Sequence, residues 1–192
     1  PYSSLNLSDS LIDLARKSYD KGVECILLCQ IRTGGELTVW CQQHDCVTLL
    51  PAQGRAYELP SFSAHGETSD IINLLMNIDK PSERVVHAVD NAIRWLEEHE
   101  LKGFTLEHFV NKDGKPDVRV VKSDGANGLW GRFYDLQNGE PFFCDRDGIP
   151  KRNIEDIGYE RRIGYSWLGN SPKHIIKRYT EWRSDYKYSK GN

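Results

Sequence analysis

The spacing of apolar residues in this chain changes from helical to alternating near residue 101, and that change limits the folds that the chain can adopt. Before it, apolar residues recur at helical spacing over residues 9–31, 69–78 and 81–99. Ser8 is available as the N-cap of the first of these segments. The first half therefore predicts three substantial helices, the first of them long.

Beyond that point apolar and polar residues alternate, which is typical of short strands. The turns at 112–115 and 138–139 are of the kind that joins antiparallel hairpins. Helical spacing returns weakly at 153–161 and 172–182. The second half predicts three or four strands and two short helices. The strand segments are 104–109, 118–121, 129–134 and 141–144.

Glycine and proline residues between 31 and 67 exclude another long helix there. The one regular element predicted in this segment is a short strand at 37–40. This segment contains the octapeptide 55–62, Arg-Ala-Tyr-Glu-Leu-Pro-Ser-Phe, which follows Gln-Gln-His-Asp at 42–45. Polar chemistry concentrated on a loop between rigid elements is typical of a binding or catalytic site. We therefore expect the functional residues to start here.

Composition excludes several classes of protein. At 192 residues, 39% hydrophobic and 28% charged, the chain is expected to form a single soluble globular domain, 1–192. No apolar run approaches the ~18 residues of a membrane helix, so no membrane partner is expected. A net charge of −3, with 25 basic residues dispersed, argues against a nucleic-acid partner. Pro1 is followed by no signal-peptide pattern, so we expect the printed chain to begin after any such segment.

Three other chemistries are weaker alternatives. Five cysteines allow a zinc site, but their spacing matches none of the usual cysteine hooks, and small buried cysteines are more common. His44 beside Asp45 suggests a general base, although a loop histidine is more often a structural hydrogen-bonding group. Cys41 near His44 lacks the glycine-flanked turn of a hydrolase nucleophile. The cysteines leave the cellular compartment open. They are Cys25, Cys29, Cys41, Cys46 and Cys144.

Arginines are the strongest candidates for binding residues. A guanidinium meets a carboxylate with two parallel hydrogen bonds, so several in a row would hold a polymer with one carboxylate per sugar. The alternative is that those beside acidic residues form surface ion pairs of little energetic value. Nearby aromatic rings, among them Trp40 and Tyr57, favour a sugar groove, but they are common core residues too. The candidate arginines are Arg55, Arg132, Arg146, Arg161 and Arg162.

Several collinear motifs resemble those of the pectate lyases of polysaccharide lyase family ten. They are Trp-Cys-Gln-Gln-His-Asp at 40–45, Arg-Ala-Tyr-Glu-Leu-Pro-Ser at 55–61, Arg-Phe-Tyr at 132–134, Arg-Asp-Gly at 146–148 and Glu-Arg-Arg-Ile-Gly-Tyr-Ser-Trp at 160–167. The resemblance implies a mainly α fold, a portion of an (α/α) toroid with helix hairpins, irregular loops and a small antiparallel β region. The chain then resembles the carboxyl-terminal part of the catalytic module, with the amino-terminal half absent.

The reaction implied by the resemblance is calcium-dependent β-elimination in polygalacturonate, by a secreted or periplasmic enzyme. It places the base on Arg55, and binding of the substrate carboxylate on Arg146 and on Arg161 or Arg162. Tyr57 and Trp40 are candidate substrate-binding residues from their aromatic type. The family's Asn-Asp-Asp calcium motif does not occur here, so the metal ligands are unassigned and are expected on the absent half. The expected partners are the acidic polysaccharide and either that half or a second copy. A pectin-binding module without activity and a structural helical domain are the alternatives.

Overall fold

The computed structural model describes residues 7–190, and its helices follow the predicted periodicity. Ser8 caps the first helix through its hydroxyl, as predicted, and Ser82 caps the third. The three predicted helices of the first half are confirmed within a few residues at each end. The expectation that the printed chain begins after any signal segment concerns Pro1, which lies outside the described residues. The α-helices are α1 Asp9–Cys29, α2 Glu67–Met76, α3 Glu83–Glu98, α4 Tyr159–Ile163 and α5 Ser171–Lys190, with a 3₁₀ helix at Ile154–Asp156.

The strands are short and form antiparallel sheets. Four of them make one sheet in the order β3-β7-β8-β9, in which a strand from the loop region pairs with one about seventy residues later. The longest pair, β4 and β5, is an isolated hairpin, and β6 pairs with β10. The strands are β1 Arg32–Thr33, β2 Glu36–Leu37, β3 Phe62–Ser63, β4 Phe104–Val110, β5 Pro116–Lys122, β6 Trp130–Gly131, β7 Phe133–Tyr134, β8 Pro141–Cys144, β9 Pro150–Lys151 and β10 Leu168–Gly169.

One hydrophobic core lies under α2 and α3. The apolar residues of α3 at positions 85, 89, 93 and 96 are buried there, because residues at this spacing share one helical face. Two tryptophans close this core, and each donates its indole N–H to a carbonyl in the last turn of a helix. Trp40 Nε1 donates to the oxygen of Ile26, and Trp130 Nε1 to that of Leu96, both at 2.7 Å. Each of these buried indole N–H groups thus finds its acceptor at the end of a helix.

A second core is aromatic and lies between the four-stranded sheet and the closing segments. Phe133, Phe142 and Phe143 come from the sheet, while Ile154 and Trp167 come from the segments that follow it. Phe133 and Trp167 are edge to face, with ring centroids 5.9 Å apart. The loop that contains Arg55 is held against this second core.

The predicted fold class, a mainly α portion of an (α/α) toroid, is wrong. The structure is 39% helical and 19% strand, which is a mixed α/β composition with several antiparallel sheets. The physical reason lies in the aromatic side chains of the second half, which bury one face of a sheet instead of joining helix hairpins. Among the helices of residues 7–190, only α2, α3 and α5 pack extensively on one another.

Helix α1 has no fully buried residue, although Val23, Ile26 and Leu27 rest against the first core. Its exposed apolar side chains include Leu11 and Leu14, which are 48% and 61% exposed. The helix therefore presents apolar surface to solvent. None of the described helices combines the length and the apolar character needed to cross a membrane.

His65 connects the segment that precedes α2 to the residues on either side of β10. Its ring nitrogens lie 2.8 Å from Ser171 Oγ and 3.0 Å from Ser166 Oγ, more than a hundred residues away. The ring passes so close to Gly169 that a Cβ there would lie 2.2 Å from it. A side chain at residue 169 would collide with this imidazole, which the two serine hydroxyls hold in place, so the position requires glycine.

Candidate functional site

Arg55 stands on a tight turn that projects its side chain outward. The Glu58 amide donates to the Arg55 carbonyl at 2.9 Å, and the Gly54 amide donates to the Glu58 carbonyl at 3.0 Å. These two hydrogen bonds close the turn over residues 54–58. The Arg55 side chain is 67% exposed, so its guanidinium is accessible to a ligand.

A buried carboxylate, Glu58, lies directly under this turn. It is 2% exposed, and its oxygens accept hydrogen bonds from the Arg55 amide (3.0 Å), the Tyr165 hydroxyl (3.0 Å) and Gln42 Nε2 (3.4 Å). A buried charge is tolerated only where it is paired and hydrogen-bonded, and Glu58 meets both conditions. In the sequence, Glu58 is one residue of the octapeptide 55–62 and is not among the candidate site residues. Its position three residues after Arg55 was the signal that could have identified it.

The guanidinium of Arg55 is oriented by two neighbours. Its Nη1 donates to Tyr57 Oη at 3.0 Å and lies 3.5 Å from Glu58 Oε1. The hydrogen bond to Tyr57, and after it the charge of Glu58, raises the pKa of Arg55 above its ordinary value. Arg55 is therefore a fixed, solvent-accessible cation at neutral pH.

Two tyrosine rings connect Arg55 to other arginines. Tyr57 and Tyr165 meet edge to face with centroids 5.1 Å apart. The guanidinium carbon of Arg161 lies 4.4 Å from the Tyr57 centroid, and that of Arg132 lies 4.7 Å from the Tyr165 centroid. Burial raises the pKa of the Tyr165 phenol, which therefore stays protonated and donates to Glu58. The loop arginine and two arginines from later in the chain thus surround one pair of rings.

Arg132 and Arg161 are themselves largely buried. Arg132 pairs with Glu67, and Arg161 Nη2 donates to Glu160 Oε1 at 2.7 Å. The Nε atom of each is buried without a hydrogen-bond partner in the described structure. The aromatic faces beside these guanidinium groups supply part of the missing electrostatic stabilisation. Both side chains support the tyrosine pair in this arrangement.

The predicted substrate arginine Arg146 lies next to this cluster. Its turn packs against the Arg55 turn, since a Cβ at Gly148 would be 3.3 Å from the Ala56 carbonyl oxygen. Arg146 Nη2 lies 3.1 and 3.2 Å from the two oxygens of Glu160, the carboxylate that also accepts from Arg161. Its side chain is 70% exposed. Arg55 and Arg146 are therefore two accessible guanidinium groups on adjoining turns.

Two predicted site residues have other positions. Arg162 donates to both oxygens of Asp117, at 2.7 and 2.9 Å, and to the Ile157 carbonyl at 2.8 Å. This pairing holds the pKa of Asp117 well below its usual range. Trp40 is 1% exposed in the first core, so its ring has no face open to a sugar. The structure places Arg55, Tyr57, Arg146 and Arg161 next to one another, with Tyr57 and Arg161 buried beneath the two exposed arginines, whereas Trp40 lies in the first core and Arg162 is paired with Asp117.

His44 is occupied by backbone partners. Its Nε2 accepts from the Cys41 amide at 3.1 Å, and its Nδ1 lies 2.9 Å from the Leu49 carbonyl. A neutral imidazole satisfies both contacts with its proton on Nδ1. His44 therefore fixes the loop and has no nitrogen available for proton transfer in this structure.

The residues present do not fit a calcium site. Asp45 Oδ1 accepts hydrogen bonds from the backbone amides of Val47 and Thr48. The Asp145 carboxylate accepts from the backbone amides of Arg146 and Gly158. The Glu58 carboxylate accepts the three hydrogen bonds described above. Calcium needs six to eight oxygen ligands. Within the part of the chain that the structure describes, no group of three or more histidine, cysteine, aspartate or glutamate side chains is placed to hold a metal ion.

A cavity of about 710 Å³ lies elsewhere, between the β4-β5 hairpin and the segment that leads to β10. Its lining includes Phe109, Val118, Arg162 and Tyr165. Arg55 and Arg146 do not line it. The cavity and the arginine surface are therefore separate features.

Comparisons with known proteins agree with this arrangement of motifs. The family model described as pectic acid lyase matches residues 1–176. A family 10 polysaccharide lyase from Cellvibrio cellulosa, solved as an aspartate-to-alanine mutant in complex with trigalacturonic acid, is 33% identical with a TM-score of 0.80. A second structure of a family 10 polysaccharide lyase from that organism is 31% identical, with a TM-score of 0.78. A comparison with curated proteins gives no match.

The coverage of these solved structures is unequal. The alignments cover 91% and 94% of this chain but 53% and 54% of the two lyases, so the chain spans about half their length. The match to the family model nevertheless extends over most of the 192 residues. The chain therefore belongs to the pectic acid lyase family.

Proposed function

We propose that this chain carries the arginine half of a pectate lyase site, which cleaves α-1,4-polygalacturonate by β-elimination with Arg55 as the base. The observation that supports this most is the accessible guanidinium of Arg55, oriented by Tyr57 and Glu58 on a turn that adjoins Arg146. Membership of the pectic acid lyase family supports the reaction type. The solved relative bound to trigalacturonic acid supports an acidic polysaccharide as the substrate.

The proposed elimination removes the proton at C5 of a uronate, breaks the bond from C4 to the glycosidic oxygen and forms a double bond between C4 and C5. The leaving oxygen gains a proton. Arg55 takes the C5 proton, while Arg146 holds a uronate carboxylate with its planar fork. A guanidinium beside that carboxylate also stabilises the negative charge that develops on it as the C5 proton leaves. Arg161 orients Tyr57 and shares Glu160 with Arg146.

Arg55 has to lose a proton before it can act as a base. Because Tyr57 and Glu58 raise its pKa, the neutral form is rare in the free site. The rate should therefore increase with pH, in proportion to the neutral fraction of Arg55. A rate that falls from neutral to alkaline pH, in protein that remains folded, would contradict the assignment.

Calcium dependence remains a proposal that rests on family membership. The carboxylates near Arg55 are committed to the hydrogen bonds described above, so we propose that the calcium ligands come from other polypeptide. We assign no step to calcium here. Secretion or a periplasmic location is likewise proposed, because the expected substrate is an extracellular polymer.

The test is Arg55→Lys, which keeps the positive charge and removes the planar fork. Any assembly of this chain that forms unsaturated uronate, measured by its ultraviolet absorbance, should lose that activity in the variant. Retention of more than about a tenth of the turnover corresponds to less than ~1.4 kcal/mol of transition-state stabilisation. That result would remove Arg55 from the role of base.

A binding module without catalysis is the second candidate. It is favoured by the two accessible guanidinium groups together with the commitment of the nearby carboxylates to hydrogen bonds. Binding of oligogalacturonate in calorimetric titration, without formation of unsaturated product, would support this candidate.

The exposed apolar face of α1 also leads us to propose self-association. Sedimentation over a range of protein concentrations tests that partner.

A further inference from the structure

Glu58 contacts Arg55 at both its backbone and its side chain. Oε2 accepts the Arg55 amide at 3.0 Å, and Oε1 lies 3.5 Å from Nη1 of the same residue. The carboxylate is 2% exposed, whereas the guanidinium is 67% exposed. A fixed buried anion thus lies on the protein side of an accessible cation.

The carboxylate is itself held in place. Tyr165 donates to Oε1 at 3.0 Å and Gln42 at 3.4 Å, and Tyr165 comes from a segment more than a hundred residues beyond the turn. Nη1 of Arg55 is directed inward toward Glu58 and Tyr57. The Nη2 and Nε atoms have no hydrogen-bond partner among the described residues. The orientation of Glu58 therefore determines which edge of the guanidinium is available to a ligand.

Gly54 shows how closely the turn is built around this carboxylate. A Cβ at that position would lie 2.7 Å from Glu58 Oε2 and 2.7 Å from Gln43 Nε2. Such a contact would displace the carboxylate or the turn. The absence of a side chain at residue 54 is thus matched to the position of Glu58.

We propose that Glu58 is a positioning residue for Arg55, and that Tyr165 holds Glu58 in the orientation this requires. The inference deepens the proposed function and rests on it only for the consequence in catalysis. Glu58 does not touch substrate. It fixes the Arg55 amide and one edge of the guanidinium, so that the opposite edge meets the ligand in a single orientation.

The experiment measures the reaction of each arginine of the full chain with phenylglyoxal, which condenses with the neutral guanidine group. Peptide mass spectrometry gives the rate at every site in one sample. Glu58→Gln keeps the shape and removes the charge, so Arg55 should react about three to five times faster relative to Arg146, as expected on removing one charge near an accessible guanidinium. An unchanged ratio in protein with a wild-type circular dichroism spectrum would overturn the proposal.

Glu107→Gln is the matched control, because Glu107 pairs with the partly exposed Arg119 at 2.6 Å. It should accelerate Arg119 and leave Arg55 unchanged. An increase at Arg55 in this control would show a general effect of charge and would also overturn the proposal.

Where Glu58→Gln fails to fold, Tyr165→Phe provides the same test, because it removes only the hydroxyl that holds the carboxylate. The rate at Arg55 should rise there as well, and an unchanged rate would contradict the proposal. Failure of the proposed function has a different signature. Arg55→Lys would then retain turnover, while the phenylglyoxal result for Glu58→Gln would still show the positioning.

Discussion

Replacing Arg162 with alanine should destabilise the fold without weakening carbohydrate binding. The side chains of Arg162 and Asp117 are 15% and 6% exposed and are joined by two hydrogen bonds. Removing one member of a buried ion pair costs about 3–5 kcal/mol, because the other charge is left unpaired. Asp117 would regain some water through the space left by Arg162, so we expect the lower end, about 3 kcal/mol. For a chain of this length that loss lowers the Tm by roughly 6–12 °C.

The assay is thermal and urea unfolding followed by circular dichroism, with oligogalacturonate calorimetry on the same preparations. Arg146→Ala is the matched control, since it makes the same truncation in a pair whose members are 70% and 65% exposed. Its Tm should stay within about 2 °C of the parent value. Equal Tm losses in the two variants, or weaker ligand binding in Arg162→Ala, would refute our assignment of Arg162 to the fold.

Three further outcomes are expected. Arg146→Ala should lower the affinity for oligogalacturonate about ten- to hundredfold, because a hydrogen bond to a charged group contributes about 1.5–3 kcal/mol. Unchanged affinity in calorimetry would mean that the pair of Arg146 with Glu160 is purely structural. Arg162 lowers the pKa of Asp117, so the stability from this pair is fully present above the unfolded carboxyl pKa of about 3.9 and is lost as the pH falls through the lower folded value. The urea-midpoint difference between the parent chain and Asp117→Asn should therefore be constant from about pH 7 to 5 and shrink below about pH 4, and shrinkage already above pH 5 would contradict this. The isolated 192-residue chain should form no unsaturated uronate at any calcium concentration, because the carboxylates near Arg55 are committed to hydrogen bonds and do not form a calcium site. Lyase activity of the isolated chain that disappears in Arg55→Ala would refute this prediction.

The helices could be predicted from sequence because their signals are local. The buried face of α3 repeats within sixteen residues, and the caps at Ser8 and Ser82 lie beside the helices they start. The fold class could not be predicted in the same way. It depends on strand partners that are far apart in the chain, such as β3 and β7, and alternation along one strand carries no information about its neighbour.

In the candidate site, too, residues within a local motif could be predicted, and residues whose role depends on distant contacts could not. Arg55 was predicted from its motif, and the turn does expose it. Residue type alone could not separate Arg146 from Arg162, since the difference lies in a tertiary contact of Arg162 with Asp117. Trp40 was ambiguous for a similar reason, because an aromatic ring suits a core as well as a sugar. Glu58 was underestimated because its burial follows from Tyr165, which is distant in sequence.

The contacts of His65 with Ser166 and Ser171 have a consequence for the order in which this chain folds. Contacts between residues a hundred positions apart form only after a large loss of chain entropy, so they are expected late in folding. The bond between Tyr165 and Glu58 belongs to the same late set. Helices α2 and α3 can therefore pair early, while the arginine surface is assembled only in the last closing step. A chain released before residue 165 has been synthesised would contain Arg55, Tyr57 and Glu58 but not the tyrosine hydroxyl that holds the Glu58 carboxylate in place.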